Sequence, residues 1–170
     1  VSGHNITTAF MIGTAVMFAV CWSAVLFRRE ALEIAGAGAV LFLFTVISRI
    51  WSANTDMPIS AAPWPVQDTI CGLLAVGLYM KHKEPWKLAL ALCFGAQCAA
   101  HVVYWWVVAT GTASWRQTVD YLWVINPFFA LELLILTGAG GRHIASYVLD
   151  RLRVFSGSDP FADQGIARGR

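Results

Sequence analysis

Apolar residues lie along this chain in long blocks, each closed by charge, proline or glycine, and the blocks predict membrane-length helices. The first runs over 6–27 and ends on Arg28, Arg29 and Glu30. The second covers 31–51, with Glu30 and Glu33 at its start, where a helix dipole favours acids. The tight connection through Arg28 and Arg29 predicts an antiparallel hairpin. Ser52 to Pro65 reads as a proline-rich interfacial loop. A shorter run, 65–80, follows, and Pro65 suits a first helical position.

Lys81-His82-Lys83-Glu84-Pro85 is a charged turn before the most continuous block, 86–110. That block contains no acid, and its only full charge, Lys87, stands at its start. At 1.5 Å per residue it is about 37 Å long, more than a hydrocarbon core of about 30 Å requires. The last apolar block, 119–137, contains Asp120, Asn126, Pro127 and Glu132, and Gly138, Gly140 and Gly141 are expected to end it. Pro127 predicts a kink that frees a carbonyl. Residues 142–155 read as a separate, short, basic amphipathic helix. Ile144, Val148, Leu152 and Phe155 share one face, and Arg142, Arg151 and Arg153 suit contact with a membrane surface. The tail 156–170 is expected to be flexible.

The predicted fold class is therefore all-α: a five-span bundle over 1–141, followed by the surface helix. A four-span bundle with 65–80 re-entrant is the alternative. Basic residues gather at Arg28 and Arg29, at Lys81, Lys83 and Lys87, and beyond Arg142, whereas the alternate connections carry only Arg49 and Arg116. The positive-inside rule then puts the N-terminus outside and the C-terminus in the cytoplasm.

Composition agrees with this pattern: 58% of the residues are hydrophobic and 13% charged, about half the charge of a soluble domain. A net charge of +2 gives no support to nucleic-acid binding. Cys21, Cys71, Cys93 and Cys98 all lie in apolar blocks without a CxxC, so buried thiols are expected rather than disulfides. No GxSxG, HExxH or Walker A pattern occurs, and only His101 is deep enough for a membrane haem. Neither enzymatic activity nor a cofactor or metal is expected.

Two polar sets remain. Gln97, His101 and Tyr104 follow one another by about one turn on the fourth block, and Asn126 and Glu132 lie about 120° apart around the fifth. Polar groups at that depth are costly unless paired, so these five residues are candidates for a pocket or channel lining, or for structural hydrogen bonds. Toward the outside, Arg49, Asp68 and Asp120 are candidates for an ion pair at a mouth, or for plain interfacial charges. Gly72 with Ala75, and Gly95 with Ala99, permit close helix packing within one copy or between copies.

Glu84-Pro85-Trp86-Lys87-Leu88-Ala89-Leu90, followed by Gln97 and His101, resembles small polytopic membrane proteins of tailed bacteriophages and prophages over residues 63–137. The resemblance implies a host inner-membrane protein with a holin-like lysis, exclusion or virion-associated role. The chain departs from most holins in being longer and in its buried polar residues. The expected function is thus a non-enzymatic, multi-pass bacterial inner-membrane protein in the lipid bilayer. It would act as a homo-oligomer or bound to another membrane protein, with a polar and pore-forming interior. Alternatives are a small transporter or ligand-binding subunit, and an accessory subunit of a membrane electron-transfer complex.

Overall fold

The computed structural model describes residues 3–54, 63–111 and 114–155. The expected tail 156–170 and most of the expected loop after Ser52 lie outside the described residues. Every described element is helical: α1 (Gly3–Phe27), a 3-10 turn (Arg29–Ala31), α2 (Leu32–Asn54), α3 (Trp64–Lys81), α4 (Pro85–Ala109) and α5 (Trp115–Phe155).

Local chemistry sets most helix ends. Pro65 and Pro85 occupy the first turns of α3 and α4, where a missing N–H removes no hydrogen bond. The Thr110 N–H closes α4 on the Trp106 carbonyl and the Gly111 N–H on that of Val108, with Gly111 at φ 68°, the left-handed conformation that glycine supplies after a helix.

Four helices, α1, α2, α4 and α5, are long and apolar enough to cross a membrane. Their outer faces leave Leu26, Leu43, Leu92, Val102, Trp106 and Leu134 exposed, as a lipid-facing surface requires. The 18 residues of α3 do not meet that standard. At about 27 Å the helix is short, and Gln67, Asp68 and Thr69 fill its second turn.

The largest departure from expectation is α5. It runs unbroken for 41 residues, so the glycines at 138–141 do not end it and 142–155 is not a separate helix. The reason is α1, which lies alongside α5 in parallel. Phe10 meets Phe129 (ring centroids 5.2 Å), and Phe27 meets Tyr147 (5.1 Å). Between these pairs, a Cβ on Gly140 would stand 3.3 Å from the Cys21 Cα. Gly140 therefore permits close helix approach, and the packing it allows outweighs its helix penalty of about 1 kcal/mol. Beyond it, Arg28, just past the end of α1, pairs with Asp150 of α5. Pro127 likewise sits inside α5 without ending it.

Met17, Cys21, Ile34, Leu41, Cys71, Ala75, Leu90, Phe94, Leu133 and Leu136 form one core to which all five helices contribute. A smaller cluster of Tyr104, Tyr121 and Ile125 joins α4 to α5 near the start of α5. Gly72 serves packing inside the bundle, since a Cβ there would stand 3.2 Å from that of Phe94, whereas Gly95 faces open space.

Candidate functional site

The polar side chains gather at three levels. At the end of the bundle where α3 begins, His101 of α4 is the hub. Its Nε2 stands 2.7 Å from Asp68 Oδ2 on α3, and its Nδ1 stands 2.5 Å from the Tyr121 hydroxyl on α5. With Asp68 as the acceptor, Nε2 bears the hydrogen, and Nδ1 of the neutral ring accepts the Tyr121 O–H. Tyr104 stacks on Tyr121 (4.1 Å, 16° between planes), and its hydroxyl lies 3.1 Å from that of Thr118. The His101 ring is 3% exposed, so this chain of hydrogen bonds is sealed from solvent on the α4 side.

Asp68 also faces a cavity of about 570 Å³ to which all five helices contribute. Its polar wall includes Thr45, Ser48, Gln67, Gln97 and Asn126, with Arg49 and Asp68 as its charges. Its apolar wall combines Phe10, Phe44, Trp64 and Phe129 with Met11, Leu41, Cys71, Leu122 and Ile125. Ser48 donates to Gln67 Oε1 at 2.6 Å across the α2–α3 seam.

A second cavity of about 270 Å³ lies further along the same helices, lined by Glu33, Gly36, Val40, Leu74, Leu78, Leu90 and Phe94. Leu41 and Cys71 line both cavities and so form the wall between them. Glu132 stands level with that wall. Phe129, three residues before it, lines the larger cavity, and Leu136, four residues after it, lines the smaller. Glu132 is 0% exposed, and neither carboxyl oxygen has a hydrogen-bond partner. Gln97 is 1% exposed, and its Oε1 is unpartnered too.

At the far end, where α2 and α4 begin, the buried charge is matched. Lys87, 1% exposed, pairs with Glu33 and lies 3.6 Å from Glu84. Glu33 also receives Lys81 at 3.2 Å and meets His82 Nδ1 at 3.1 Å. One carboxylate thus joins α2 to the α3–α4 hairpin.

Of the residues predicted for a pocket, Gln97 and Asn126 line the larger cavity. His101, Tyr104 and Glu132 lie behind its wall, and His101 reaches it through Asp68. The Arg49–Asp68 pair does not form: Asp68 turns to His101, while Arg49 is exposed at the cavity wall and Asp120 is exposed away from it. Arg142, Arg151 and Arg153 are exposed on α5, where Arg151 donates to the Tyr147 hydroxyl at 3.2 Å. The four cysteines are free thiols, and no metal-holding cluster occurs among the described residues.

Sequence reasoning missed Tyr121 and the burial of Lys87. The spacing of Tyr121 and Ile125 held a signal, since both share a face of α5 one turn apart. Lys87 held none, because a lysine after a charged turn reads as solvated. Comparison with protein families, with curated proteins and with solved structures finds no match.

Proposed function

We propose that this protein is a five-span inner-membrane bundle, with its N-terminus outside and its C-terminus in the cytoplasm, that binds and passes a small ligand through the larger cavity. The observation behind this reading is the cavity itself. About 570 Å³ lies within the range of small-molecule sites. Its deep wall holds Gln97 with an unpartnered carbonyl oxygen, in a core where an unmet hydrogen bond costs about 1–3 kcal/mol. A bundle that needed only stability would place an apolar residue there.

In this orientation the larger cavity faces outward, and the Asp68–His101–Tyr121 chain fixes one wall by tying α3 to α4 and α5. The smaller cavity faces the cytoplasm, with Glu33 and Lys87 at its inner end. Leu41 and Cys71 are the barrier between the two, so passage requires α2 to move against α3. No reaction is assigned to the site, and no bound cofactor enters this reading.

Thiol labelling tests it. A variant carrying Ser48→Cys, on the half-buried wall of the larger cavity, as its only cysteine should react from the outside of spheroplasts with a water-soluble methanethiosulfonate. A variant retaining only Cys21, packed beneath Leu136, should stay inert. Equal inertness of the two would sink the outward-facing cavity.

A second reading, an oligomeric holin-like pore, draws on Gly77 and Gly95, which are exposed with open space where a Cβ would be. Such faces suit close contact between copies. The native mass in nanodiscs decides it: a homo-oligomer favours the pore, and a monomer favours the internal cavity.

A further inference from the structure

We propose that the ligand of the larger cavity is a zwitterionic amino acid with an aromatic side chain, whose carboxylate meets Arg49 and whose ammonium meets Asp68. This rests on the ligand-site reading above. Among the described residues, Arg49 and Asp68 are the charges of the cavity wall, and they do not pair with each other. Arg49 is exposed and makes no ion pair or hydrogen bond with any described residue, so it can turn toward a carboxylate. Asp68 accepts from His101 through Oδ2 alone, and its other oxygen has no partner among the described residues. With the His101 ring neutral, no cation balances the Asp68 carboxylate.

Register brings the two charges to one seam. Ser48 of α2 donates to Gln67 of α3 at 2.6 Å. Arg49 and Asp68 are the next residues on those two helices, and both line the cavity beside that bond. Asn126, half-buried on α5 and without a side-chain hydrogen bond to any described residue, adds a neutral donor and acceptor to the same wall. Charges in a membrane bundle are costly without a counter-charge. An amine would answer Asp68 alone, and a carboxylic acid would answer Arg49 alone. A zwitterion answers both, with three ammonium donors toward Asp68 and the forked guanidinium of Arg49 on its carboxylate.

The rest of the cavity selects the body of the ligand. Trp64 precedes Asp68 by one turn of α3 and lines the same cavity. Phe10 and Phe129 meet edge to face at 5.2 Å between α1 and α5, and Phe44 of α2 lines the cavity with them. Such walls suit the offset and edge-on contacts of an aromatic side chain. The ring faces also attract the ammonium. A pair of inorganic ions would answer the charges and leave these walls without a role.

The probe is tritiated L-tryptophan, bound to the full chain in phosphatidylcholine nanodiscs. Tryptamine and indole-3-propionate are its analogues without the carboxylate and without the ammonium. Tryptophan should bind saturably and about tenfold or more tightly than either analogue, because a hydrogen bond between charged groups is worth about one such factor or more. Arg49→Gln should erase the preference over tryptamine and keep that over indole-3-propionate, and Asp68→Asn should do the reverse. Should Asp68→Asn fail to fold, the wild-type ratios and Arg49→Gln still decide. Equal wild-type affinities, unchanged preferences in the folded variants, or no saturable tryptophan binding would each overturn the amino-acid assignment. So would loss of tryptophan binding when phosphatidylethanolamine is added to the nanodisc, which would give the two charges to a lipid headgroup. If the Ser48→Cys thiol reacts from the outside and tryptophan fails these tests, the amino acid falls and the cavity stands. If that thiol is as inert as Cys21, both fall.

Discussion

The Lys87 end and the Glu132 level of the bundle both bury a group that is charged in water, yet they treat it in opposite ways. Lys87 is enclosed and compensated: Glu33 and Glu84 face it, and Glu33 gathers Lys81 and His82 besides. Glu132 is equally enclosed and receives nothing. Burying a charge costs several kcal/mol, which a partner of good geometry offsets. Lys87 thus reads as a fixed joint between α2 and the α3–α4 hairpin, and Glu132 as a buried carboxyl that the bundle leaves uncompensated. Depth alone does not identify a functional residue; the inventory of its partners does.

The largest expected effect comes from breaking the joint. Lys87→Ala leaves Glu33 without its buried partner and should destabilise the protein by about 3–5 kcal/mol in denaturant titration of the detergent-solubilised chain. The double variant Glu33→Met, Lys87→Met should recover most of that loss. A single variant as stable as the wild type would remove the contrast. Gly140→Leu forces a side chain against the Cys21 backbone and should cost about 1–3 kcal/mol by the same titration. Unchanged stability would argue against parallel packing of α1 on α5.

Smaller effects sharpen the other side. Tyr121→Phe removes the hydroxyl that meets His101 Nδ1 while keeping the stack on Tyr104. Interhelical hydrogen bonds of this kind are worth about 0.6–1.7 kcal/mol in membranes, and a melting curve should show a loss of that size. Glu132→Gln should not lower stability, because it removes an uncompensated carboxyl and there is no hydrogen bond to lose. A loss comparable to that of Lys87→Ala would show that Glu132 has a partner and would end the comparison.

Much of the site was legible before any tertiary contact was known. His101 and Gln97 stood out because a polar pair one turn apart in an acid-free apolar block has no local explanation. Asp68 stood out for the same reason at the head of α3. Their partners were not legible. Asp68 had two readings, an ion pair with Arg49 or a plain interfacial charge, and nothing in the spacing points to His101. Tyr121 and Lys87 did not stand out, because Tyr and Lys are common at the ends of membrane helices.

The sequence by itself determined the helices, their apolar faces and the residues that would be costly to bury, because periodicity and hydropathy are local properties summed over a few turns. The tertiary structure alone decided the continuity of α5, the pairing of His101 with Asp68 and Tyr121, and the joint at Glu33. Each depends on which helix lies alongside and in what register. Gly140 is a helix stop in isolation and a close-packing point once α1 lies against it. Glu132 is costly in any membrane helix, and only the packed bundle leaves its two oxygens and that of Gln97 without a donor.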